Sequence, residues 1–151
     1  MTCSAIMTTN PKTILESQTI GEAATLIVDH GYIALPVVDE GGRLAGLFGV
    51  HDLLGLLVPR VAVISGLLPN LRFMSDDLAE LQGNFAKLKA SPVRRAVNRE
   101  APSVHPDTPI VEALRLIARN HMTIPVVARE THTLVGMVSY WDAARAILGA
   151  R

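Results

Sequence analysis

The sequence predicts an α+β (mixed α/β) fold: two pseudo-symmetric β-α-β-β-α repeats packed through their sheets, with an inserted helical segment between them. Two observations carry this reading. The chain repeats itself: I-L-E-S-Q-T-I-G-E-A at 14–23 returns as V-H-P-D-T-P-I-V-E-A at 104–113, and L-P-V-V-D at 35–39 returns as I-P-V-V-A at 124–128. L-A-G-L-F-G-V-H-D at 44–52 returns as L-V-G-M-V-S-Y-W-D at 134–142, so the copies lie about 90 residues apart throughout. Within each copy the apolar pattern also changes from helical spacing to short β-branched runs.

Each copy opens with a short extended piece that leads into a helix. Thr19 and Thr108 are the expected caps, because a Thr oxygen can accept from an orphan N–H of the first turn. Pro109 is expected just inside the second helix, where its missing N–H costs nothing. Ile20, Ala23, Ala24 and Ile27 recur at helical spacing, as do Ile110, Ala113, Leu114 and Ile117. Pro36-Val37-Val38 and Pro125-Val126-Val127 read as strands, Gly41-Gly42 as a turn, and Leu44 to Val50 as a second strand. Closing helices are expected over Asp52 to about Val58 and Tyr140 to about Leu148. A copy of roughly 50–60 residues buries too little surface alone, which points to one shared core.

Residues 1–58 and 92–151 are thus assigned to the two repeats and 59–91 to a connecting segment. There Val61-Ala62-Val63-Ile64 is apolar and β-branched, and Pro69-Asn70 marks a turn. Ser75-Asp76-Asp77-Leu78 reads as the start of a helix running to about Lys89, with Leu78, Leu81, Phe85 and Leu88 on one face, stopped by Ser91-Pro92. Amphipathicity makes it a covering helix; a dimerisation or docking arm is the alternative.

Composition narrows the function classes. Hydrophobic residues make up 49% of 151, and 14 Lys plus Arg balance 14 Asp plus Glu. A nucleic-acid binder carries a basic excess, which is absent here. The single cysteine, Cys3, has no partner for an internal disulfide and suits a cytoplasmic location. The N-terminal residues lack the basic-then-apolar order of a secretory signal. Leu53 to Leu71 is mostly apolar, but Gly55, Pro59, Arg60, Gly66 and Pro69 interrupt it, so no membrane span is expected. No phosphate-binding G-x-x-x-x-G-K-S/T loop, H-E-x-x-H pair or G-x-S-x-G elbow occurs, and His30, His51, His105, His121 and His132 form no helix-spaced metal pair. The reading is of a non-enzyme without a metal.

The repeated order of I-M-T at 6–8, the apolar-P-V-V element in both copies and the closing G-h-h-S-x-x-D, with h apolar, resembles the CBS (cystathionine-β-synthase) domain family over about 1–58 and 91–149. The resemblance implies a pseudo-symmetric tandem pair that commonly forms a homodimer, binds AMP, ADP, ATP or S-adenosylmethionine between its repeats, and acts on a regulated protein partner that the sequence does not identify. It implies that Asp142 accepts from ribose hydroxyls and that Ser139 contacts the ribose or first phosphate. An ionised carboxylate is a pure acceptor suited to a vicinal diol, and a helix start offers free N–H groups to a phosphate. Adenine walls would come from Pro102, Ser103, Val104, Thr123 and Ile124. A weaker site in the first copy would use Asp52, Gly49, Thr13, Ile14, Ala34 and Leu35; Gly49 replaces the hydroxyl residue there. Ser139 and Asp142 also read as a capping box that needs no ligand. Arg145, His51 and His121 are candidate phosphate partners, and Trp141 is expected to pack at a helix interface. The alternative is a ligand-free structural, dimerisation or partner-docking pair. A nucleic-acid or metal-binding variant has neither the charge nor the ligand cluster.

Overall fold

Thr19 opens the first long helix as expected. Its hydroxyl accepts from the Glu22 N–H at 3.1 Å, and the Glu22 carboxylate accepts from the Thr19 N–H at 3.2 Å, a complete capping box. The helix, α1, runs Ile20–His30 and ends at Gly31 in the left-handed conformation. The computed structural model describes residues 1–58 and 78–149.

Ahead of α1 lie two short strands, β1 (Thr8–Thr9) and β2 (Ile14–Leu15). After it come β3 (Ala34–Val38), β4 (Leu44–Gly49) and α2 (Val50–Leu57). The connecting segment contributes α3 (Leu78–Leu88). The second copy supplies α4 (Ile110–Asn120), β5 (Ile124–Val127), β6 (Leu134–Val138) and α5 (Tyr140–Leu148). Its first strand is reduced to a parallel bridge between Val104 and Val126. The Val61–Ile64 run, the Pro69-Asn70 turn and the expected helix start at Ser75–Asp77 lie outside the described residues.

One expectation is corrected at α4. Thr108 does not cap it: Pro109 itself holds the N-cap position with extended backbone, and helix begins at Ile110. The Thr108 hydroxyl instead accepts from the His105 N–H at 2.9 Å, bracing the turn before the helix. Proline's fixed φ suits either position, so sequence alone could not separate them.

The two copies share their sheets by exchanging leaders. β3 pairs antiparallel with β4 and parallel with β2, giving one three-stranded sheet; β6 pairs antiparallel with β5 and with β1, giving the other. So Thr8 and Thr9, from the first copy, extend the second copy's sheet. In return Asn98, from the second leader, bridges Leu47 of β4. Cys3 is buried in the second copy's core with Val104, Ala113 and Ile117, while Val93 is buried in the first with Ile14, Ile20 and Ile27. The hairpins also meet: the Leu44 N–H donates to the His132 carbonyl and the Leu134 N–H to the Gly42 carbonyl, both at 3.0 Å. Ala34, Leu47 and Met137 form a third buried cluster spanning the copies.

Helix α3 lies against the first copy. Phe85 packs against that core, and the Asn84 side-chain amide donates to the Leu57 carbonyl at 3.1 Å, tying α3 to the end of α2. No helix among the described residues is long and apolar enough to cross a membrane.

Candidate functional site

The second copy's closing turn holds a dense network of polar contacts. β6 ends at Val138, and Ser139 turns the chain into α5. Its Oγ accepts from the Asp142 N–H at 3.1 Å, and its own N–H donates to Asp142 Oδ2 at 2.9 Å. Ser139 Oγ donates to the same oxygen at 2.9 Å. Asp142 is 6% exposed, yet its charge is well partnered: Arg145 Nη2 donates to Oδ1 at 3.0 Å, and Thr8 Oγ1 lies 3.2 Å and 3.3 Å from the two oxygens. A buried carboxylate needs such donors, because leaving it unpaired would cost several kcal/mol. The capping box is therefore real, and the exchanged leader closes it through Thr8.

In front of this network lies a cleft of about 210 Å³ between the copies. Thr8, Pro11 and Lys12 come from the first leader, and Ala34, Leu35 and Pro36 from β3. Met137, Ser139 and Thr123 close the opposite side. The approach carries three aromatic rings, Tyr32, Tyr140 and Trp141. The capping box serves the Asp142 N–H, so the Tyr140 and Trp141 amides at the start of α5 are left to other acceptors.

The expected site residues are thus regrouped. Ser139 and Thr123 line the cleft together with Ala34 and Leu35, which had been placed in the other site. Asp142 stands behind Ser139 and Thr8. Val104 and Ile124 are core residues of the second copy and Ile14 of the first. Pro102 and Ser103 are half-buried, Thr13 is exposed, and none of the three lines this cleft. The physical cause is the leader exchange: the crevice facing α5 is walled by the first copy's leader and β3, so of the residues expected around the Ser139 turn only Ser139 and Thr123 line it. Trp141 is not packed at a helix interface; it is 71% exposed and lines the cleft. Arg145 is bound to Asp142, whereas His51 and His121 are exposed and off the lining. Thr8, Pro11 and Lys12 were not singled out from the sequence; only I-M-T at 6–8 signalled a role for the leader.

At the equivalent turn of the first copy, Gly49 sits close against neighbouring backbone. A Cβ on Gly49 would lie 2.6 Å from the Ile33 carbonyl oxygen, and the Val50 N–H donates to that oxygen at 3.0 Å. Asp52 accepts from the Gly49 N–H at 2.8 Å. Ala101 and Met122 pack onto the Ala34–Leu47–Met137 cluster.

The CBS domain family model matches residues 3–59 and 93–149. Among curated proteins, the CBS domain-containing protein YhcV of Bacillus subtilis is 27% identical over 91% of this chain and 79% of its own length. A homoserine O-acetyltransferase of Methanococcoides burtonii is 25% identical over 94% of this chain, but the chain spans only 23% of that enzyme. Among solved structures, CBSX2 in complex with AMP is 24% identical with a TM-score of 0.72, covering 98% of this chain and 96% of that one. The CBS domain pair of MJ0100, in complex with 5′-methylthioadenosine and S-adenosylmethionine, is 22% identical with a TM-score of 0.66 over 99% and 97% of the chains. With matches covering both copies and a fold shared along the full length, the chain belongs to the CBS domain family as a tandem pair.

Proposed function

We propose that this tandem pair is a non-catalytic regulatory module that binds an adenine nucleotide or related adenosine ligand in the cleft between its repeats. The observation that carries the reading is the cleft itself. Apolar walls from one copy face a serine and, behind it, a carboxylate from the other, at the start of a helix. Such a crevice suits a flat base against Ala34 and Pro36, with sugar hydroxyls toward Ser139 and Asp142. The adenosine ligands of CBSX2 and of the MJ0100 pair support it by analogy of fold. Because the cleft spans both copies, a ligand would favour whichever packing of the repeats it binds better, and only by that difference in affinity.

The expected test is a thermal shift with AMP, ADP, ATP and S-adenosylmethionine, followed by calorimetric titration. A bound ligand at a hundredfold excess over its Kd adds about 2.7 kcal/mol of stability. Asp142→Ala should weaken binding about 10–100-fold, through lost charge-assisted hydrogen bonds worth roughly 1.5–3 kcal/mol. Asp52→Ala, at the first copy's turn and away from this cleft, should leave affinity unchanged. Equal affinity in a folded Asp142→Ala protein would reject the site.

A second reading has one observation in its favour. Thr8, Ser139 and Arg145 already satisfy the Asp142 carboxylate, as expected of a ligand-free pair that dimerises or docks a partner. An absent shift with all four ligands would select it.

A further inference from the structure

The cleft's charge is small and specific. Among the described residues, Lys12 is the one charged side chain on its lining. It has no acidic partner among the described residues, whose ion pairs are Arg43–Asp39, Arg99–Glu16, Arg129–Asp107 and Arg145–Asp142. Arg145, the nearest arginine in sequence to the S-x-x-D turn, spends its charge on Asp142 at 3.0 Å. The start of α5 adds a partial positive charge of about 0.5. Lys12 and the helix start together offer about 1.5 positive charges, the size of the charge on a single phosphomonoester, roughly −1.5 to −2 at neutral pH. Each further phosphate would bring negative charge with no matching cation among the described lining residues, past a mouth lined by Tyr32, Tyr140 and Trp141.

We propose that the cleft is selective by charge: it takes adenosine derivatives with no more than one phosphate, such as AMP or a 5′-thioether of adenosine, and discriminates against ADP and ATP, with Lys12 as the phosphate's counter-charge. This rests on the adenosine-binding reading above and narrows its ligand class. Base and sugar recognition come from the walls and from Ser139 with Asp142, so a ligand lacking phosphate keeps that part of its affinity. Lys12 is exposed and in no ion pair among the described residues, so its replacement removes charge without disturbing the core.

The test is calorimetric titration of the full chain and of Lys12→Met in metal-free buffer with adenosine, 5′-methylthioadenosine, AMP, ADP and ATP. The expected result is that AMP binds the unaltered protein at least tenfold more tightly than ATP. Lys12→Met should weaken AMP about tenfold and leave adenosine and 5′-methylthioadenosine within about twofold. The single tryptophan at the cleft gives an independent readout, since its fluorescence should change with each ligand that binds. ATP binding as tightly as AMP would overturn the charge selectivity while leaving the adenosine site standing. Equal loss of all ligands in Lys12→Met would overturn the assigned role of Lys12. Binding of none of the five to the unaltered protein would remove the adenosine reading itself, and this inference with it.

Discussion

Gly49 shows how much one missing methyl group decides. In sequence it is the residue that breaks the S-x-x-D pattern of the first copy, and serine there would look like a repair. The Ile33 carbonyl oxygen lies 2.6 Å from where a Cβ would stand, and it is backbone held by the Val50 N–H, so it cannot swing aside. Gly49→Ser should therefore destabilise the protein by about 1–3 kcal/mol, the usual cost of overpacking, in a urea titration. It should not create a second ligand site, so the calorimetric stoichiometry should remain one per chain. Gly136 does a different job. A Cβ there would meet Met7 Sδ at 2.7 Å and the Thr8 carbonyl at 3.0 Å, so this glycine admits the crossing leader. The glycine of the G-h-h-S-x-x-D pattern thus serves the exchange of strands.

At the scale of elements, the two copies solve the same helix start differently. Thr19 caps α1 through its side chain, whereas α4 begins behind Pro109 with no side-chain cap. Thr19→Ala should cost about 1 kcal/mol, measured as a lowered urea midpoint with unchanged slope. Equal stability would show that Glu22 and the Ile20 N–H bond to the Ser91 carbonyl, at 2.9 Å, suffice to start the helix. Helical spacing identified α1 and α4 in the sequence, and Ala23, Ala24 and Ile27 are buried on the expected face, as are Ala113 and Ile117. It also marked α3, whose Phe85 packs against the first core while Leu78 of the same expected face is exposed.

For the whole molecule, the leaders matter most. Cys3 sits in the 3₁₀ turn at the head of the first leader, has no exposed surface, and is packed into the second copy's core. Burial, with the Glu112 carboxylate adding to it, raises its thiol pKa, so little thiolate is present at neutral pH. Cys3 should resist alkylation in the folded protein and become reactive only when the leader leaves the second sheet. Its labelling rate across a urea series should follow global unfolding, because the exchanged strands couple the halves. Fast labelling under native conditions would show a leader that opens on its own.

The sequence by itself determined that there are two copies, the order of their elements, the helical and strand faces, and the turn at Ser139 and Asp142. Those are local properties: period, capping chemistry and turn residues act over a few neighbours. Only the tertiary structure decided which walls face that turn. Leader exchange is a pairing between residues more than a hundred positions apart, Thr8 with Met137, and no local pattern encodes which sheet a two-residue strand will join. The same long-range pairing brought Thr8 and Lys12 to the cleft that Ser139 and Trp141 also line.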